Sequence, residues 1–434
     1  METLELWLGR QYQHAATAML ASVSPCGIIK TRAGAGQTIR PVNGAIVASA
    51  VLGAYDPEPD YFFHWYRDSA LVVDAMRVLH ADPNCPPGLP ESFADFVRFS
   101  LALQTRDGRA IIAEPGRRNR MAPAFLEYLR PDDELAAVQG DSVAAETRVN
   151  PDGTLDILKW PRPQHDGPAL RALAVLRWAR VAKFDERLTA DIAALALADL
   201  AYTLRHALEP CFDIWEEESG LHYYTLSVAA AALETGAIWL GARADHAMAQ
   251  ACRARARDIL ARLNSYWLES EGFYRSRLAG PEGGLAKALD IAVIMAAIHT
   301  GRIGDAHSVR DSRMQATLAR LDALFNAEYA INRGRPAERG PAMGRYAGDR
   351  YFSGGAYYFA TLAAAEFCYR AGLIARGDAY LRTVQAYTPL NGDLAEQFDQ
   401  NTGLPNSARK LAWSYAAFIT CIAARRRRRP DRPQ

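Results

Sequence analysis

The feature that most constrains this chain is apolar periodicity at helical spacing, repeated with few interruptions over 434 residues. Apolar residues recur three and four positions apart through Leu4–Val23, Asp68–Leu79, Ser92–Leu103, Ala169–Ala182, Leu188–Leu208 and Leu226–Leu240. The pattern continues through Ala247–Trp267, Leu285–Thr300, Val309–Ala327, Ala356–Ala371, Gly377–Tyr387 and Ala408–Ala423. That makes about a dozen amphipathic helices, separated by loops rich in Gly, Pro, Asp or Asn. Strand signals are few; Gly44–Val51 and Leu221–Tyr224 read as local hairpin pieces. The reading is therefore all-α, with a dozen helices fitting a toroid of six inner and six outer ones. Residues 1–424 are expected to form one such domain, with Glu114–Thr147 a charge-rich excursion on its surface. Residues 425–434, which hold Arg425 to Arg429, read as a solvated basic tail.

Half of the residues are hydrophobic, enough for a large core, and 50 basic residues stand against 49 acidic ones. Such a balance gives no general attraction to nucleic acid or to anionic membranes. No apolar run is long enough to span a bilayer. The start, Met-Glu-Thr-Leu-Glu, is not that of a secretory signal. Cys26, Cys85, Cys211, Cys252, Cys368 and Cys421 are scattered without paired spacing. They read as thiols of a reducing compartment, and the expected location is cytoplasmic.

Chemistry-bearing residues gather at the helix edges. Two acidic clusters stand out: Phe212-Asp213-Ile214-Trp215-Glu216-Glu217 and Ala395-Glu396-Gln397-Phe398-Asp399. Cleavage of a glycosidic bond takes two carboxyl groups facing each other across a sugar ring, one protonated and one ionised. Carboxylates beside Trp, with Arg-Asp pairs and further aromatics, supply such a pocket. His64 and His165 have no second ligand at useful spacing and read as ordinary rim positions, so no metal site is expected. The Gly283-Gly284 and Gly354-Gly355 pairs are turns without a phosphate-binding fingerprint.

At these motifs the chain resembles the glucoamylases of glycoside hydrolase family 15. The matching stretches are Trp65-Tyr66-Arg67-Asp68-Ser69, Trp160 to Arg171 with Pro161 in place of Gly, and Asp213 to Glu217 with Ile214 in place of Leu. Gly344 to Tyr351 follows, then Glu396–Asp399 and Ser407–Tyr415, in which Phe398 replaces Tyr and Lys410 replaces Asp. Their order along residues 60 to 415 matches that of the family.

The resemblance implies an (α/α)6 barrel with its pocket at the loop-decorated end, and an exo-acting, inverting hydrolase of soluble α-glucans or maltooligosaccharides. No cofactor, metal, nucleic acid or obligate protein partner is implied. It makes Glu216 the general acid. That group has to carry its proton before attack, and burial against Trp215 together with the charge of Glu217 would favour the neutral form. Glu396 becomes the general base, with the Ser407 hydroxyl holding it ionised. Inversion places the two carboxyls roughly 6.5–9.5 Å apart. Arg67 and Asp68 correspond to the pair gripping the terminal sugar, and Glu217 and Arg345 to further hydroxyl ligands. Gln397 and Tyr61 correspond to groups that orient the water. Trp160, Trp413 and Tyr351 would supply apolar faces, with Trp65 beside them. Asp213 would shape the loop of Glu216, and Asp349 is expected to support Arg345. Preference for α-1,6 linkages and a catalytically silent glycan-binding barrel are the alternatives on the same frame.

Overall fold

Two kinds of helix can be told apart by how they bury their surfaces. The His246–Leu263 helix buries Ala249, Cys252, Ala256, Ile259 and Leu263, a single stripe at three- and four-residue steps. The Tyr358–Ala371 helix is buried at every position from Tyr358 to Tyr369. A helix that is apolar all round has to be enclosed by others. The computed structural model describes residues 2–53, 58–278, 287–304 and 306–428. Among them, helices of nine residues or more alternate strictly between these two situations along the chain.

The outer helices are Leu4–Leu20, Leu89–Leu103, Glu186–His206, His246–Leu263, Ser312–Glu328 and Ile374–Tyr387. The inner ones are Tyr66–His80, Asp166–Val181, Tyr223–Gly241, Ala292–Thr300, Tyr358–Ala371 and Ala412–Arg428. Each inner helix packs on the next, and the last returns to pack on the first. The closed ring of six helix pairs is an (α/α)6 barrel, the architecture expected from the periodicity.

The two sets also begin differently. Four of the six outer helices start under side-chain caps: Thr3, Asp185, Asp245 and Asp311 each accept a backbone N–H of the first turn. Four inner helices start instead after Trp65, His165, His222 and Tyr357, whose side chains do not cap them. Their first turns point the positive ends of their dipoles toward one rim of the barrel. Asp68 and Asp166 lie in two of those turns, where negative charge is favoured.

Several boundaries differ from the sequence reading. The Ala292–Thr300 helix starts later than the apolar stripe because Asp290 Oδ1 accepts the Ala292 N–H and opens the helix there. Tyr223 and Tyr224 begin a helix and are not hairpin residues. Within 44–51 the backbone makes only isolated bridges, Val23 to Ile46 and Ser49 to Leu411. The last helix runs to Arg428, past the boundary expected at 424. Arg425 is buried and donates to Asp378 Oδ1 (2.8 Å) and Glu5 Oε2 (3.0 Å), so it belongs to the barrel rather than to a tail. Arg426 reaches Asp82 at 2.7 Å. The carboxylates of neighbouring elements thus carry the helix onward through the basic run, and residues 429–434 lie outside the described residues.

Residues 114–147 fold into 3-10 helices of one to two turns, Arg117–Arg120 and Pro123–Tyr128, and short α-helices, Asp132–Ala136 and Asp141–Ala144. Leu135, Val138 and Val143 anchor them in the core. No helix among the described residues is long and apolar enough to cross a membrane.

Candidate active site

The acidic loop before the third inner helix is tied by its own first residue. Asp213 Oδ1 accepts the N–H groups of Trp215 (3.1 Å) and Glu217 (2.9 Å), and the Asp213 carbonyl accepts that of Glu216 (3.0 Å). This turn holds Glu216 at φ +64°. Left-handed backbone costs a non-glycine residue about 1–2 kcal/mol, and residues held there cluster at functional sites. The turn brings the Glu216 carboxylate to three donors. Oε1 accepts Trp65 Nε1 and Arg67 Nη2, both at 2.9 Å, and Oε2 accepts the Trp160 indole.

The surroundings of Glu216 therefore differ from those expected. The Trp215 indole donates to Asp290 Oδ2 (2.8 Å), and its ring stacks toward Phe359 and Trp413. Glu217 turns to other partners, with Oε1 accepting Arg345 Nη2 (2.9 Å) and Oε2 meeting the Tyr346 hydroxyl and Lys287. Adjacent residues in a tight turn point apart, so sequence adjacency did not translate into contact.

Arg67 is the hub of the first turn of its helix. It reaches Gln164 (3.2 Å), Asp166 (3.5 Å), Asp68 (3.4 Å) and Glu216 (2.9 Å) from a buried position. Burial pushes the Asp68 carboxyl up to about 6, while the Arg67 guanidinium pulls it back and the charge of Glu216 adds to the rise. Asp68 Oδ2 and Arg67 Nε have no hydrogen-bond partner among the described residues. Polar atoms buried in that condition are costly unless a ligand completes them.

Glu396 lines the same pocket with its own donors. Ser407, at φ +61°, gives its hydroxyl to Oε2, and Tyr61 donates to Oε1 at 3.3 Å. The Tyr61 and Tyr351 hydroxyls are 2.7 Å apart. The Ser407 hydroxyl pulls this carboxyl toward its ionised form, as expected, but burial acts more strongly. Burial pushes Glu396 up to about 7, and Ser407, Arg345 and Tyr61 pull against it without prevailing.

The pocket encloses about 240 Å³, small for a ligand site. Tyr61, Trp65, Arg67, Asp68, Trp160, Glu216, Glu217, Arg345, Tyr351, Glu396 and Trp413 all line it. Asp213 and Ser407 stand behind their carboxylates. Gln397 is not in the wall: it is buried and donates to the Tyr351 carbonyl (3.1 Å) and the Tyr357 hydroxyl (2.8 Å). Its two-residue strand, Gln397–Phe398, pairs on both sides with Ala356–Tyr357 and Pro405–Asn406, which turns its side chain inward. Asp349 holds Arg345 through two bonds of 2.6 Å, and Arg345 lies over the ring of Tyr351. Trp413 stacks flat on Phe359, 4.3 Å between centroids.

Sequence reasoning missed Phe359, Ile214 and Leu411 in the wall, and Asp166, Asp290, Tyr346 and Lys287 behind it. Asp166 lies inside the matched Trp160–Arg171 stretch, which was a usable signal. Lys287 and Tyr346 meet Glu217 only through the fold. Residues 114–147 add nothing to the wall; Thr147 Oγ1 donates to the Pro161 carbonyl (2.5 Å) and braces the Trp160 loop from behind. His64 and His165 are buried, and burial pushes them down to about 3 and about 4, so both are neutral core groups. Among the described residues no group of three or more His, Cys, Asp or Glu could hold a metal ion.

Comparison with known proteins agrees with the fold and the motifs. The family model described as "Glycosyl hydrolases family 15" matches residues 146–378 and 373–423. The chain is 25% identical to "Glucoamylase 1" of Rhizopus oryzae, over 98% of this chain and 71% of that protein. It is 29% identical to "Glucoamylase-1" of Arthroderma benhamiae, over 85% of this chain and 63% of the relative, so it spans about two thirds of such relatives. Among solved structures, the family 15 glucoamylase from Hypocrea jecorina superposes with a TM-score of 0.79 at 24% identity, covering 98% of this chain and 72% of that one. This likeness speaks for the fold. With its family model matched over more than half its length, the chain belongs to glycosyl hydrolase family 15 and is a glycoside hydrolase.

Proposed function

We propose that the chain is an inverting, exo-acting glucoamylase that releases β-glucose from the non-reducing ends of soluble α-1,4-glucans and maltooligosaccharides. The observation that carries this reading is a pair of carboxylates lining one small pocket, half-buried Glu216 and buried Glu396, each held by its own set of donors.

In this mechanism the terminal glucose sits against Trp413, with its hydroxyls on Arg67 and Asp68. A chain that continued past that sugar would meet a charged pair whose Arg67 is already held by Gln164 and Asp166. Glu216, protonated, gives its proton to the bridging oxygen as the C1–O bond breaks. The charge that appears on Glu216 is met by donors already in place, Arg67, Trp65 and Trp160, which need no reorganisation at that moment. Glu396, ionised, takes a proton from a water held near Tyr61, and the water oxygen bonds to C1 from the opposite face. Glu217 and Arg345 border the leaving sugar. No step uses a cofactor.

Pro161 lines the pocket where the family pattern has glycine, which favours a second reading in which α-1,6 linkages are preferred. The cysteines among the described residues are free thiols, which supports a cytoplasmic location.

The test is proton NMR of fresh products from maltotriose, isomaltotriose and trehalose, with Glu216→Gln run alongside. β-Glucose appearing first from maltotriose, and lost in the variant, is the expected result. Faster release from isomaltotriose moves the assignment to the second reading. α-Glucose first overturns inversion, and silence on all substrates with sugar still bound leaves a glycan-binding barrel.

A further inference from the structure

A second cavity, of about 330 Å³, is larger than the catalytic pocket and contains none of its residues. It lies between two inner helices, Tyr66–His80 and Asp166–Val181, and two outer ones, Leu89–Leu103 and Glu186–His206. Arg171 and Asp199 form its buried wall, joined by two bonds of 2.9 Å and 2.7 Å. Asp141 and Arg205 form an exposed ion pair at 2.6 Å along its outer side.

Charge and polarity define what such a cavity takes. Its guanidinium groups, Arg171 and Arg205, are each matched by a carboxylate, so neither an anion nor a cation meets a net opposite charge. Ser100 Oγ and Arg171 Nη1 are buried and have no hydrogen-bond partner among the described residues. Each such atom costs roughly 1–3 kcal/mol unless a partner completes it. Around these atoms the Tyr66 ring, Leu103 and Val143 supply apolar faces. A neutral ligand with hydroxyls on its edge and C–H groups on its faces satisfies both kinds of surface.

We propose that this cavity is a second binding site for a neutral, pyranose-sized polyol, with Ser100 and Arg171 as its hydroxyl ligands. The proposal stands apart from the catalytic reading of the pocket. The two sites share helices: Tyr66 of the cavity precedes Arg67 and Asp68 of the pocket, and Arg171 follows Asp166 by little more than one helical turn.

The test is calorimetric titration of the whole chain with D-glucose, and separately with inorganic phosphate. Ala198→Trp fills the cavity from an outer helix, and Ser100→Ala removes one ligand without adding bulk. Asp68→Asn perturbs the catalytic pocket alone. The expected result is two classes of glucose site in the parent. Ala198→Trp loses one class and keeps the other, and Ser100→Ala weakens that same class about 2- to 10-fold. If Asp68→Asn changes nothing while Ala198→Trp removes all binding, the cavity proposal stands and the sugar-gripping role of Asp68 falls. Titration of both cavity variants indistinguishable from the parent overturns the proposal. So does binding of phosphate, but not glucose, that Ala198→Trp abolishes.

Discussion

The Ser407 hydroxyl donates to Glu396 Oε2, yet the carboxyl it serves is pushed up to about 7. Burial raises the carboxyl and the hydroxyl pulls it part of the way back. A base has to be ionised, so kcat/KM of the free enzyme is expected to fall as pH drops below about 7. Ser407→Ala removes a bond to the charged form worth about 1.5–3 kcal/mol. The acid limb of the kcat/KM profile should therefore move upward by about one pH unit or more. A limb that stays in place in the variant would remove Ser407 from this role.

The same burial makes Glu396 a liability for stability. Its folded value lies above its unfolded one, so its contribution is full below about pH 4.5 and is lost as pH rises through about 7. Glu396→Gln, inactive by the proposed mechanism, should then be more stable than the parent at pH 8, by on the order of 3 kcal/mol. The gain should vanish near pH 4. Urea melts at the two pH values measure it.

Arg67→Lys keeps the charge and loses the fork. One ammonium cannot serve Gln164, Asp166, Asp68 and Glu216 together. A loss of roughly 10²-fold in kcat/KM is expected, from one or two charge-assisted hydrogen bonds. Steady-state kinetics on maltotriose checks it.

Gly344 shows how tightly the Arg345 loop is seated. A Cβ there would lie 1.7 Å from the Tyr329 hydroxyl, which is itself bonded to the Gly355 carbonyl (3.0 Å). Gly344→Ala should cost about 1–3 kcal/mol by overpacking. It should also raise KM, because Arg345 moves with its neighbour. Melting and kinetics on one preparation separate the two effects.

Arg425 and Arg427 look alike in sequence and differ in the fold. Arg425 is buried against Asp378 and Glu5, and Arg427 is exposed. Removing one partner of a buried pair costs up to about 3–5 kcal/mol, whereas an exposed change stays within about 0.5 kcal/mol. Arg425→Ala should lower the melting temperature clearly and Arg427→Ala hardly at all.

These contrasts mark what could be read from the chain. The twelve apolar stripes were legible because an amphipathic helix repeats its signal over many residues. The two-residue strands were not, since Gln397–Phe398 is defined only by the neighbours it pairs with. Glu216, Glu396, Arg67 and Asp68 were legible as members of ordered motifs. What surrounds them was not. Whether Trp215 faces Glu216 or Asp290 is decided by a turn, and whether Ser407 or burial governs Glu396 is decided by packing. Gln397 was misplaced for the same reason: its bonds to the Tyr351 carbonyl and the Tyr357 hydroxyl hold it out of the wall. Lys287 and Tyr346 reach Glu217 from distant segments, a meeting that no local pattern announces.

The bond between Arg425 of the last helix and Glu5 of the first has a use in engineering. It means that the barrel's seam is an ordinary helix contact, with the two ends of the ring lying side by side. A chain rejoined there by a short linker could be opened elsewhere, for instance at Ala242–Asp245. That turn links an inner helix to the next outer one at the end away from the pocket. Such a rearranged chain would keep every catalytic loop whole while moving its termini to another point on the same rim, away from the pocket.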